Sequence, residues 1–79
     1  MELTLNEFMN FYHDNVPLRV RLWDPNKWEI IKEGYVVDGK VVDNNAVLFD
    51  SLDALDDYYV STVGGHDLPT ANLYPNWYA

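Results

Sequence analysis

No cysteine occurs among the 79 residues. Disulfides and thiolate metal sites are therefore excluded, and a reducing compartment is the natural setting. Between positions 41 and 79 there are six Asp and no Lys or Arg. All five basic residues (Arg19, Arg21, Lys27, Lys32 and Lys40) fall between 19 and 40. The opening MELTLNEF has no basic n-region, so no signal peptide is expected. No apolar run approaches the roughly 20 residues that cross a bilayer. These absences predict a soluble, cytosolic chain.

Hydrophobic residues make up 48% of the sequence and aromatics 15%, far richer than a disordered chain. A single small domain over 1–79 is expected. A domain of this size buries only about 60% of the surface its unfolded chain exposes, and small folds often lean on partner subunits. The net charge of -8 repels nucleic acid and anionic membranes. It favours basic protein surfaces instead.

The first element opens with Thr4 and Glu7, a capping-box pair, and Leu3 with Phe8 matches a hydrophobic staple. Leu5, Phe8, Met9 and Tyr12 follow at helical spacing, which predicts a helix over about 5–13, ended by Asn15 and Pro17. In PLRVRLWD, alternation puts Leu18, Val20 and Leu22 inward and Arg19, Arg21 and Trp23 outward. Asp24-Pro25-Asn26-Lys27 is a turn, and WEIIKEGYVV is the return strand. Gly34 is a candidate bulge or break. Asp38-Gly39 signals a hairpin between YVV and KVV. If the second strand stops at Gly34, that hairpin is separate; if it continues, the first hairpin is extended.

DNNA reads as a loop. Leu48, Leu52, Leu55 and Tyr59 then stand on one face of a predicted helix of about two turns, capped by Asp50 or Ser51. Asp56 and Asp57 near its C-terminus oppose the helix dipole. YYVSTV and ANLYP are strands, separated by Gly64-Gly65 and a loop. The expected class is α+β: a small antiparallel sheet with an N-terminal helix and a second short helix on one face.

FDSLDALDDYY lacks the Gly and the spacing of a calcium loop, so no metal is expected. His13 and His66 lie in no ligand or catalytic pattern, and Ser51 and Ser61 in no nucleophile turn. No phosphate-loop motif is present. The chain is expected to be non-enzymatic and free of cofactors. Arg19 and Arg21 share a strand face, where acids on the neighbouring strand are the expected partners; a small anion is the alternative. On a helix, Asp50, Asp53 and Asp57 would line one face at about 4.5–6 Å along the axis, comparable with charge spacing along nucleic acid. Twelve aromatics are too many for so small an interior, and Trp, Tyr and Arg are enriched at binding hot spots. The candidate partner-binding residues are Asp50, Asp53, Asp56, Asp57, Tyr58, Trp77 and Tyr78.

LTLNEFMNFY, PLRVRLWD, KEGYVV, LFDSLDALDDYYVSTV and ANLYP span most of the chain. Together they resemble the small, mostly uncharacterised acidic proteins of phages and prophages of Gram-positive bacteria. That resemblance implies a phage accessory role in the host cytoplasm, and some such proteins are anti-CRISPR or other anti-defence inhibitors. It supplies no catalytic residues. The leading expectation is a binding protein whose acidic face occupies a basic bacterial protein, in the manner of a DNA mimic. A self-assembling homo-oligomer is the second. A nucleotide-sequestering oligomer that uses Arg19 and Arg21 is the third.

Overall fold

Thr4 and Glu7 form the capping box their spacing predicts. Thr4 Oγ1 accepts from the Glu7 amide at 3.2 Å, and Glu7 Oε1 accepts from the Thr4 amide at 2.9 Å. The computed structural model describes residues 2–78. Helix α1 is Leu5–Met9, shorter than the 5–13 expected. Phe11 and Tyr12 already donate to carbonyls three residues back, Phe8 and Met9, the tighter 3₁₀ pattern that ends helices. No basic residue in the last turn offsets the dipole. The Tyr12 hydroxyl donates to the Val16 carbonyl, drawing the chain round toward Pro17. The predicted stripe does face inward: Leu5 is fully buried, and Phe8, Met9 and Tyr12 pack against the core.

Six strands follow: β1 Arg19–Asp24, β2 Glu29–Val37, β3 Lys40–Val42, β4 Val47–Phe49, β5 Tyr58–Gly64 and β6 Thr70–Pro75. They form one sheet in the order β4-β3-β2-β1-β6-β5. The described residues are thus mostly sheet, with one short helix and two 3₁₀ turns. The sheet is mixed rather than antiparallel, because β1 and β6 run parallel. Short turns dictate antiparallel neighbours only where strands are close in sequence, and these two are far apart. Their register sets Val20 beside Ala71 and Leu22 beside Leu73, and all four are buried.

The return strand does not break at Gly34. β2 pairs with β1 along one stretch and with β3 through Tyr35–Val37. A Cβ at Gly34 would lie 2.7 Å from the Val42 carbonyl oxygen, so this glycine permits close approach of β3. The bulge lies instead at Ile31, the residue skipped where Leu22 pairs with Lys32 and Trp23 with Ile30. Asp38 (φ 52°) and Gly39 (φ 76°) turn the β2–β3 hairpin with the two positive φ angles its type requires.

The largest departure lies at 47–59, where the two-turn helix does not form. Val47–Phe49 pairs with β3 instead, and Leu52–Leu55 is a single 3₁₀ turn. Ser51 Oγ accepts from the Asp53 amide at 3.1 Å and caps that turn. Leu52 and Leu55, three residues apart, eclipse on a 3₁₀ turn, and both are buried. Asp56 and Asp57 then meet the negative end of the dipole, which stops the turn. From there the chain has crossed to the far edge of the sheet, where Tyr59 enters β5.

The core lies on one sheet face. Val20, Leu22, Val41, Ala71 and Leu73 join Leu5, Leu18, Leu52 and Leu55 in one cluster. The Cα radius of gyration is 11.6 Å, close to the value of about 12 Å for a compact chain this long. No helix among the described residues is long and apolar enough to cross a membrane.

Candidate functional site on the open sheet face

Strand alternation turns every second side chain away from that core, and paired residues share a face. Arg19, Tyr35, Thr70 and Gly64 therefore form one row across the opposite face. Arg21, Glu33, Asn72 and Thr62 form the next. Trp23 with Ile30, and Tyr74 with Tyr59, form the third. The face grades from polar at the start of β1 to aromatic at its end.

Arg21 donates through Nε to Glu33 on the neighbouring strand, as expected for a strand cation. Arg19 instead pairs with Asp67 in the 65–69 loop, at 3.3 Å, and lies over the Tyr35 ring with its guanidinium 5.9 Å from the centroid. Burial opposes the Arg19 charge, but Asp67 and then Tyr35 outweigh it and raise its pKa. Backbone amides at Asp67 and Leu68, and then Arg19, hold the Asp67 carboxyl below its usual value. From the third row Trp23 Nε1 donates to Asn72 Oδ1 in the middle row at 2.9 Å, and Asn72 Nδ2 donates to Thr62 Oγ1 at 3.1 Å.

The aromatic end is a set of edge-to-face contacts, the geometry ring quadrupoles favour. Tyr74 sits at its centre, 5.9 Å from Trp28, 6.0 Å from Tyr59 and 5.4 Å from Tyr78. Tyr78 also meets Trp28 at 5.6 Å and Trp77 at 6.2 Å. Trp28 comes into place because it closes the β1–β2 turn with φ 54°, its amide donating to the Asp24 carbonyl at 2.7 Å. Trp77 and Tyr78 lie on the closing 3₁₀ turn Asn76–Tyr78. Outer faces stay open: Trp77 is 65% exposed, Trp28 54% and Tyr78 41%. Burial, then the charge of Glu2 and the neighbouring Tyr78 and Tyr74, raises the Tyr59 phenol pKa.

Of the sequence-based candidates, Asp56, Asp57, Trp77 and Tyr78 come together at one corner. Asn76 joins them: its amide donates to the Asp57 carbonyl at 2.8 Å, and its Nδ2 to the Asp56 carbonyl at 3.2 Å. Asp53 and Asp56 both accept from Asn6 Nδ2 on α1, at 2.5 and 3.4 Å. Asp50 is exposed in the bend after β4, outside this corner. Tyr58 is half-buried and packs on the core, on the opposite face. Without a helix, the regular axial row of Asp50, Asp53 and Asp57 does not exist. Trp28, Tyr59 and Tyr74 complete the aromatic cluster and were not among the candidates. Alternation puts Tyr59 and Tyr74 on one face only once β5 and β6 are known to pair.

Among the described residues, no three His, Asp or Glu side chains are grouped to hold a metal ion. Ser51 is occupied as a cap, and Ser61 is the bulged residue of β5. The site so defined is an open-faced mixed sheet with an aromatic end and an acidic rim. Comparison with protein-family models, with curated proteins and with solved structures gave no match.

Proposed function

We propose that this chain is a non-enzymatic binding protein that docks its aromatic, acid-rimmed corner onto a basic surface of another protein. One observation carries the reading. The exposed rings of Trp77 and Tyr78, with Trp28 packed edge-to-face on Tyr78, adjoin Asp56 and Asp57 through Asn76, and residues 41–79, which supply all of these but Trp28, contain no Lys or Arg. Exposed aromatics supply the desolvated anchor of an interface. The acidic rim supplies on-rate and partner choice. In the setting its sequence resemblance implies, the partner is a bacterial nucleic-acid-binding or defence protein, inhibited because its basic surface is occupied.

The test is affinity capture from a Gram-positive host lysate, followed by direct binding measurements on the captured protein. Trp77→Ala is expected to weaken binding by about 2 kcal/mol or more, the size of a hot-spot loss. Asp56→Lys with Asp57→Lys is expected to slow association and flatten its salt dependence. Unchanged binding in both variants would remove this corner from the function. A concentration-dependent dimer abolished by Trp77→Ala would replace the reading with self-association.

A further inference from the structure

The polar end of the open face carries a second site, separate from the aromatic corner in residues and chemistry. A cleft of about 370 Å³ opens there, lined by Arg19, Arg21, Thr62, His66, Asp67 and Asn72 among others. That volume lies within the usual range for small-molecule sites, about 300–1,000 Å³. We infer that this cleft binds a small molecule through an oxyanion, a phosphate or a carboxylate.

A count of unused donors leads to this assignment. Arg21 uses Nε on Glu33, and neither of its terminal nitrogens has a partner among the described residues. Arg19 uses one terminal nitrogen on Asp67, while its Nε is buried with no partner. A buried guanidinium nitrogen without an acceptor is a poor resting state, so the side chain gains by turning toward a better one. Thr62 is primed in the same sense. It receives the hydrogen bond that ends the Trp23–Asn72–Thr62 relay, which leaves its own proton free to donate. Against two guanidinium groups the lining sets one carboxylate, Asp67, whose Oδ1 already accepts from the Leu68 amide and whose Oδ2 accepts from Arg19. The lining therefore has more guanidinium donors than its one carboxylate can take, which favours an anionic, acceptor-rich ligand.

The backbone leaves room for it. A Cβ on Gly64 would meet nothing within 4 Å, so open space adjoins the strand there. Gly65 has φ 136°, and a Cβ on it would lie 2.1 Å from the Leu68 carbonyl oxygen, so the loop that closes the cleft depends on this glycine. Asp67 sits at the rim with its side chain 72% exposed. It occupies one guanidinium much as a ligand carboxylate would. With Asp67 so open, solvent screens its side of the pair, whereas a multidentate anion on two guanidinium groups gains several charge-assisted bonds. Two of the chain's five Lys and Arg residues thus serve one concave surface of an otherwise acidic protein.

The experiment is an amide and arginine-Nε NMR titration of the full chain with inorganic phosphate, adenosine 5′-monophosphate and acetate in separate arms. Saturable shifts confined to Arg19, Arg21 and residues 62–67 are expected. Tighter binding of the phosphate probes identifies a phosphate ligand; equal or tighter binding of acetate identifies a carboxylate. Either result supports the site. Arg21→Gln should weaken binding about tenfold, the scale of one charge-assisted contact. Asp67→Asn should strengthen it several-fold, because the internal competitor loses its charge. Should Arg21→Gln fail to fold, Asp67→Asn and the near-isosteric Thr62→Val decide. Non-saturating or scattered shifts in all three arms, or an affinity unmoved or weakened by Asp67→Asn, would overturn the inference.

Discussion

The two faces of this sheet are cut from the same strands and built by different chemistry. On β1 and β6, Val20, Leu22, Ala71 and Leu73 are 0–3% exposed and need no partner beyond apolar contact. The residues between them, Arg19, Arg21, Trp23, Asn72 and Tyr74, all keep part of their surface open. They are held by directional contacts: two ion pairs, the Trp23–Asn72–Thr62 relay and edge-to-face rings. The covered face satisfies itself by burial, with α1 and the 52–55 turn as its lid. The open face is organised yet leaves donors and ring faces unspent. A small chain that draws its stability from one face leaves the other free of that burial requirement.

The sharpest way to break that division is to truncate one residue on each side. Leu55 is 1% exposed in the core, and Leu55→Ala is expected to cost about 2–5 kcal/mol. A chain this long has a total stability of only about 4–12 kcal/mol, so the midpoint of thermal unfolding should fall steeply. Trp77→Ala, at 65% exposure, should stay within about 0.5 kcal/mol of the parent in stability while weakening partner binding by about 2 kcal/mol or more. Circular dichroism melts of the two variants decide the matter. A comparable loss in both would mean that the aromatic corner belongs to the folding core.

What the sequence made legible was local. The Thr4–Glu7 box, the alternation of 18–23 and the Asp38-Gly39 turn are each set by neighbours within a few residues, and each forms as read. The parallel β1–β6 pairing was not legible, because it joins segments far apart in the chain and no turn chemistry marks it. The 47–59 segment misled for another reason. Leu52 and Leu55 satisfy both the α and the 3₁₀ spacing, while Leu48 and Tyr59 belong to strands that happen to fall in phase. At the candidate corner, charge and aromatic excess singled out Asp56, Asp57, Trp77 and Tyr78, which the fold brings close together. Trp28, Tyr59 and Tyr74 join them only through tertiary pairing.

A smaller effect tests how tightly the covered face is built. Gly34 lies opposite Val20 on β1, where an added Cβ would be 2.7 Å from a backbone oxygen that cannot swing aside. Gly34→Ala should cost about 1–3 kcal/mol through overpacking. Gly39 has open space around it but φ +76°, so Gly39→Ala should cost only the positive-φ penalty, about 1 kcal/mol. Urea titrations of both variants compare crowding with conformation. If Gly39→Ala proved the worse of the two, the close approach of β3 to β2 would not be what Gly34 serves.

The last comparison sets one tyrosine from each face against alkaline pH. Tyr12 packs on the core side, where burial and then Asp14 raise its pKa. Tyr59 lies in the aromatic cluster, where burial and then Glu2, Tyr78 and Tyr74 raise it. In both cases the fold favours the neutral phenol. The resulting stabilisation is fully present below the unfolded value of about 10 and is lost as pH rises through the higher folded value. Asp43 behaves in the opposite sense. Amides of Asn45 and Ala46 lower its pKa, so its contribution is present above about pH 4 and disappears as pH falls through the folded value. Stability measured from about pH 2 to 11 should therefore decline at both ends, the alkaline limb through the tyrosines and the acid limb through Asp43. Tyr59→Phe and Tyr12→Phe should each remove part of that decline and leave the acid limb alone, while Asp43→Asn should do the reverse. An alkaline limb identical in Tyr59→Phe and the parent would show that the open face does not hold this ring tightly enough to resist its ionisation.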